Sequence, residues 1–148
     1  MSDRLVWIDM EMTGLDVQRH YVLEVAAVVT DRELQEINGG LDLIVHQPDS
    51  VLEEMDEWCV TQHGRSGLTA AVRASNIGLE EATKQLLNYL KRHTAAGKSP
   101  LCGNSVGHDR RFLDRWMPSI SGYLHYRVID VSTIKELAQR WYPELKSF

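Results

Sequence analysis

Leu5-Val6-Trp7-Ile8-Asp9-Met10-Glu11-Met12-Thr13-Gly14 is an apolar run that turns into two carboxylates one residue apart and then breaks at a glycine. The pattern predicts a buried strand. Strand side chains alternate faces with a period of two, so Asp9 and Glu11 project from one side with their carboxylates close together. Two like charges crowded in this way repel, and one is driven to protonate unless a cation intervenes; hard oxygen-binding ions such as Mg²⁺ or Mn²⁺ relieve that cost. Spacing alone leaves a second reading open, a strand end whose carboxylates face water.

Working outward, Gly14-Leu15-Asp16 reads as a turn, with valine-rich strands at 21–30 and 41–46. Short connections at Asp31-Arg32 and Asn38-Gly39-Gly40 predict hairpins, hence three antiparallel neighbours. Helix patterning then takes over. Pro48-Asp49-Ser50 opens one helix running through Val51, Leu52, Met55 and Trp58, and Ser66 caps another holding Leu68, Ala71 and Val72. The clearest helix is 79–93, where Leu79, Ala82, Leu86, Leu87 and Leu90 recur at helical spacing. Its acidic residues lie early and its basic residues late, as the helix dipole favours. A short strand at 100–104, a helix at 109–117 stopped by Pro118, a strand at 123–130 and a last helix follow. The last helix opens on the capping-box spacing of Thr133-Ile134-Lys135-Glu136 and ends at Pro143. Three hairpin-linked strands followed by alternating helices and strands describe an α/β fold, a mixed sheet with helices on both faces, matching the ribonuclease H-like arrangement with the first strand central.

The chain of 148 residues is long enough for one domain with a real core, and 1–148 reads as a single unit. No apolar run is long enough to cross a bilayer, and the first residues show no targeting pattern, which points to an intracellular protein without membrane partners. Cys59 and Cys102 stand far apart and in no metal-ligand spacing, as small apolar filler in a reducing compartment would. A net charge of −5 argues against gripping long nucleic acid through a broad basic surface. A site for a few phosphates needs only local cations and hydroxyls.

Three blocks carry a resemblance: Trp7-Ile8-Asp9-Met10-Glu11-Met12-Thr13-Gly14-Leu15, Gly103-Asn104-Ser105-Val106-Gly107-His108-Asp109-Arg110-Arg111-Phe112-Leu113, and His125-Tyr126-Arg127-Val128-Ile129-Asp130-Val131-Ser132-Thr133. In this order and separation they resemble the oligoribonuclease family, part of the DEDDh group of 3′→5′ exonucleases. The resemblance implies Asp9, Glu11 and Asp109 as catalytic metal ligands, Mg²⁺ or Mn²⁺ as cofactor, very short RNA oligomers, above all dinucleotides, as substrate, nucleoside monophosphates as product, and a homodimer. It places the protein in the bacterial or eukaryotic cytoplasm or in mitochondria. In-line phosphodiester hydrolysis needs an activated water and a stabilised leaving oxygen, which two cations about 4 Å apart supply.

Leu15 and Trp58 are the residues suited to wedge and stack bases, against the alternative of core packing, and the resemblance supports the first role for both. It also implies Ser105, Arg127, Ser132 and Thr133 as a cluster closing over the terminal phosphate. His63 reads either as a phosphate contact or as a satisfied surface histidine, and Tyr126 as a dimer contact reaching the neighbour's base site. Arg110, Arg111 and Arg115 read as a solvated helix face.

In this family a further block supplies a histidine as general base and an aspartate as fourth ligand after the Trp141-Tyr142-Pro143 region. The sequence ends at Phe148, so the expectation is a domain incomplete at the C-terminus, lacking the family's last helix, with impaired hydrolysis. His125 and Asp130 have the spacing of that pair but sit inside a block that matches the family elsewhere, so they are not read as a substitute. Two other readings remain: a proofreading-type DNA exonuclease of the same group, and a non-catalytic short form that binds metal or oligonucleotide.

Overall fold

The computed structural model describes residues 3–144. The opening stretch forms strand β1 (Leu5–Met12), whose even-numbered residues Val6, Ile8, Met10 and Met12 are buried while Asp9 is exposed. It pairs antiparallel with β2 (Val22–Thr30), which pairs antiparallel with β3 (Leu41–Ile44). The sheet continues on the other side of β1 with two parallel strands, β4 (Leu101–Gly103) and β5 (Val128–Asp130), giving the order β3-β2-β1-β4-β5. The predicted hairpins and the central position of the first strand are both observed. The ladder between β1 and β2 shifts register between Glu11 and Met12, a bulge at the end of the strand that carries the carboxylates.

Seven helices complete the described residues: α1 (Asp49–Leu52), α2 (Glu57–Ser66), α3 (Leu68–Ala74), α4 (Leu79–His93), α5 (Gly107–Trp116), α6 (Pro118–Tyr123) and α7 (Val131–Trp141). The main core lies between one sheet face and α4, α5 and α6. Ala82, Leu86 and Leu90 of α4, each wholly buried, pack there with Phe112 and Leu113 of α5 against the even-numbered residues of β1. Each such leucine contributes about 1.5–3 kcal/mol through burial. A smaller core on the opposite face joins Leu23 to Leu52, Met55, Cys59, Leu68 and Val72, so α1, α2 and α3 cover that face only at the end where Glu11 lies. Its middle, around Trp7, Ala26 and Val28, is an open depression of about 530 Å³.

Several boundaries differ from the sequence expectation. The single helix expected from Pro48 through Trp58 is two: the Asp56 side chain accepts from the Cys59 N–H at 2.7 Å and starts α2 afresh. The next helix is entered not through Ser66, the last residue of α2, but through Gly67, whose φ of 81° only glycine adopts without strain. Pro118 ends one helix but also begins α6, sitting at the first helical position where its missing N–H costs nothing. That helix takes up Tyr123, so the strand expected over 123–130 shrinks to its last three residues. The last helix is capped by Asp130, which accepts from the Ser132 N–H at 2.9 Å, rather than by Thr133. Among the described residues no helix is long and apolar enough to cross a membrane.

Candidate active site

Asp9 and Glu11 leave β1 on the same face, opposite Ala26 and Glu24 of β2. The ladder between β1 and β4 runs only through Val6 and Trp7, so the Met10 N–H lies past the parallel partner. It donates instead to the Asp109 carboxylate at 3.0 Å. Asp109 sits in the first turn of α5 and is buried, with Phe112 and Leu113 holding that helix against the sheet. One backbone bond thus brings the third predicted carboxylate to the strand that carries the other two.

The electrostatics record the crowding. Burial, followed by the charges of Asp9 and Glu11, pushes Asp109 up to about 6 against two backbone hydrogen bonds that act the other way. Burial also raises Glu11, offset by His63 and reinforced by Asp9. Glu24 is pushed up to about 7 by burial and by Asp42 beside it. Neither Glu24 nor Asp42 was singled out from the sequence, although the hairpin register places Glu24 directly across from Glu11 once the strands are paired. Hard carboxylate oxygens that repel one another suit a divalent cation. Among the described residues no three His, Cys, Asp or Glu side chains are already gathered as a metal cluster, so these carboxylates would have to draw together around an ion.

Leu15 and Trp58, 63% and 69% exposed, line one pocket of about 380 Å³ together with Glu11 and Met12. Both are open to a ligand, which core packing would not leave them. Leu15 rides a turn held from behind: a side chain on Gly14 would meet the His20 ring at 2.5 Å, and the His20 Nδ1 accepts from the Asp16 N–H. His63 lies at the back of the same pocket, buried rather than on the surface. Its Nε2 meets the Met12 carbonyl at 3.0 Å and its Nδ1 lies 3.9 Å from the Glu11 carboxylate.

The expected phosphate cluster is only partly assembled. Ser105 and Ser132 come together through Asp130, whose Oδ1 accepts from the N–H groups of both at 2.9 Å and from the Ser132 hydroxyl at 2.7 Å. These bonds hold Asp130 below its usual range and fix Ser105 at φ 53°. They also use Asp130 locally, and the His125 Nδ1 accepts from the Arg127 N–H, so neither forms a base-and-ligand pair. Arg127 lies with its guanidinium carbon 5.5 Å from the Tyr126 ring centre and does not line the pocket of the two serines; Thr133 is exposed within α7. Tyr126 is 73% exposed and stacks on His125. Of the arginines read as a solvated face, Arg110 pairs with Asp114 and reaches the His125 carbonyl, Arg115 lies over Trp116, and Arg111 lines the pocket of the two serines.

A five-stranded mixed sheet with carboxylates on its central strand and on an adjoining helix defines a class, the hydrolytic nucleases built on the ribonuclease H-like fold. Among solved structures the chain resembles exonuclease I from Methylocaldum szegediense, with a TM-score of 0.73 at 17% identity over 95% of this chain and 30% of that one, a likeness of fold. The exonuclease family of the RNase T type matches residues 6–147. An oligoribonuclease of Vibrio cholerae is 56% identical over 148 residues, covering 99% of this chain and 82% of the relative. One of Marinobacter nauticus is 52% identical over 144 residues, covering 97% and 80%. The human mitochondrial oligoribonuclease is 48% identical across this whole chain, which spans 62% of its length. The chain belongs to the exonuclease family and, within it, to the oligoribonucleases. It is a hydrolytic nuclease, and the family carries with it dependence on a divalent metal.

Proposed function

We propose that the chain is a single exonuclease domain that removes nucleotides 3′→5′ from very short RNA, dinucleotides above all, releasing nucleoside monophosphates. The observation that carries this reading is the Met10–Asp109 bond, which sets a third carboxylate beside Asp9 and Glu11. These three residues would hold Mg²⁺ or Mn²⁺, which when bound supplies activation of the attacking water and stabilisation of the leaving 3′ oxygen. Glu11 is steadied by His63 behind it, while Leu15 and Trp58 offer apolar surfaces to bases without regard to their identity. Ser105 and Ser132, tied through Asp130, face the terminal phosphate, with Arg127 and Thr133 able to close on it from the adjoining turn.

Each of the six histidines already has a partner: His20 with Asp16, His46 with the Val72 carbonyl, His63 with the Met12 carbonyl and beside Glu11, His93 against Tyr89, His108 with Arg111 and His125 with Arg127. None stands free as a general base at the carboxylates, and loss of such a base costs about 10²–10⁴-fold. We therefore expect slow turnover by these residues alone. The same observation favours the second reading, a form that binds short oligonucleotides without cleaving them.

A homodimer is proposed on the exposed apolar residues that flank Tyr126, namely Val128 and Ile129 on the edge strand and Ile134 and Trp141 on α7. The cytoplasm or mitochondria is the proposed location, in line with bacterial relatives and relatives named as mitochondrial. Incubation with Mn²⁺ and either an RNA dinucleotide or a long single-stranded DNA tests the substrate. Monophosphate from the dinucleotide and little from the DNA is the expected result. The reverse preference would make the chain a DNA exonuclease, and saturable dinucleotide binding without product would make it a binding form.

A further inference from the structure

Helix α5 is fixed at both ends. In its first turn the Asp109 carboxylate accepts from the Met10 N–H, and at its last residue the indole N–H of Trp116 donates to the His20 carbonyl at 3.1 Å. Two helical turns separate Asp109 from Trp116, so both leave the helix on one face about 10 Å apart, with the buried Phe112 and Leu113 between them. Trp116 and its neighbour meet the segment before β2 at two further points. The Trp116 and Tyr21 rings lie 5.1 Å apart, and the Arg115 guanidinium sits 4.8 Å from the indole centre while donating to the Gln18 side-chain carbonyl at 3.3 Å. That segment is a closed loop. The Thr13 N–H donates to the Tyr21 carbonyl and the Tyr21 N–H to the Thr13 hydroxyl, both at 3.0 Å. Inside it the His20 Nδ1 accepts from the Asp16 N–H at 2.9 Å, and the His20 ring fills the space that a side chain on Gly14 would need. Leu15 stands exposed on this loop, and the residue that α5 grips, His20, is the one that backs it.

We propose that Trp116, with Arg115 beside it, is a positioning residue that holds the Leu15 loop at a fixed distance from Asp109. One rigid helix then sets the apolar surface met by a base against the carboxylates that hold the metal. The role rests on the nuclease reading and on Leu15 as a base contact, and it gives the end of α5 a task beyond that of a solvated face. Its consequence is selective: loosening the Trp116 end should weaken the grip on bases and spare the metal.

The test is a double-mutant cycle on the full chain, read by calorimetry as RNA dinucleotide affinity with Ca²⁺ in place of the catalytic ion, and as Mn²⁺ affinity without RNA. Trp116→Phe keeps an aromatic ring beside Tyr21 and loses the N–H. It should weaken the dinucleotide by about 3–10-fold, the worth of one hydrogen bond, and leave Mn²⁺ affinity within about twofold of the parent. In a Leu15→Ala background the same change should cost less than about twofold, because the loop no longer has its side chain to present. In turnover with Mn²⁺ the loss should fall on KM rather than kcat. Arg115→Ala, at an exposed side chain, should act in the same direction and serves if Trp116→Phe unfolds the chain. Parent-like dinucleotide affinity in both variants would overturn the proposal. So would equal weakening with and without Leu15, or a matching fall in Mn²⁺ affinity, either of which would make Trp116 a packing residue. Unchanged affinity in Leu15→Ala would overturn the base contact and the proposal with it. Absence of monophosphate from the parent chain would count against the nuclease reading and leave the binding cycle to decide the role of Trp116.

Discussion

The Met10 N–H on the central strand donates to the buried Asp109 carboxylate of α5 at 3.0 Å. A sheet strand and a helix residue 99 positions apart in the chain are tied together on the strand that carries Asp9 and Glu11. The bond also gives the buried Asp109 carboxylate a backbone partner.

Removing the charge at that bond separates structure from chemistry. Asp109→Asn keeps an acceptor for Met10 and loses the repulsion from Asp9 and Glu11. The metal-free variant should therefore be as stable as the parent or more so at pH 7.5, by on the order of 1–3 kcal/mol. Its Mn²⁺-dependent turnover should fall by at least about 10²-fold. Thermal unfolding together with dinucleotide hydrolysis checks both; a less stable variant would mean that the charge itself holds the helix.

The pH dependence of stability follows from the same crowding. Asp109 holds its proton to about 6 in the fold against an ordinary value of 3.8, and Glu24 to about 7 against 4.5. Over that window the folded chain binds more protons than the unfolded one, so the stability these groups give is present at low pH and lost as pH rises through 6 and 7. A cation competes with those protons. Mn²⁺ should raise the melting temperature more at pH 7.5 than at pH 5, and an equal rise at both would contradict this origin.

Trp58 and Leu15 test the base pocket without disturbing the fold, since both side chains are mostly exposed. Stacking on an aromatic ring contributes about 1–3 kcal/mol per base, so Trp58→Ala should weaken dinucleotide binding by about 5–150-fold. Leu15→Ala should act in the same direction. Neither should lower the melting temperature measurably, and a large drop would assign them to packing.

His63 behaves in the opposite way. It is buried between the Met12 carbonyl and Glu11, so His63→Ala leaves that carbonyl without its partner at a cost of about 1–3 kcal/mol. The melting temperature and the Mn²⁺ affinity should fall together. Loss of dinucleotide affinity alone, with stability unchanged, would return His63 to the role of a phosphate contact.

The antiparallel pairing of the first three strands and the long α4 helix were legible because their signals are local: alternation in β1, Gly-containing connections, and a leucine stripe with charges placed along the dipole. The proposed ligands Asp9, Glu11 and Asp109 could be named from the sequence because the blocks that carry them are contiguous. What failed to show was chemistry set by contacts across the chain. Asp56 and Asp130 act as caps only because the backbone turns beside them, so the helix expected to run from Pro48 through Trp58 breaks and restarts at Asp56, and the last helix opens at Asp130 ahead of Thr133. Pro118 was read for one of its two possible meanings. Burial of His63 and the Glu24–Asp42 pair depend on strand register and on α2 folding over the sheet, and Arg111 faces Ser132 only once β5 is in place.

The most direct measurement is monophosphate release from an RNA dinucleotide with Mn²⁺, comparing the parent chain with Asp9→Ala. The account predicts slow but detectable release by the parent and none by the variant. Release by Asp9→Ala at the parent rate would contradict the assignment of Asp9, Glu11 and Asp109 as the metal site.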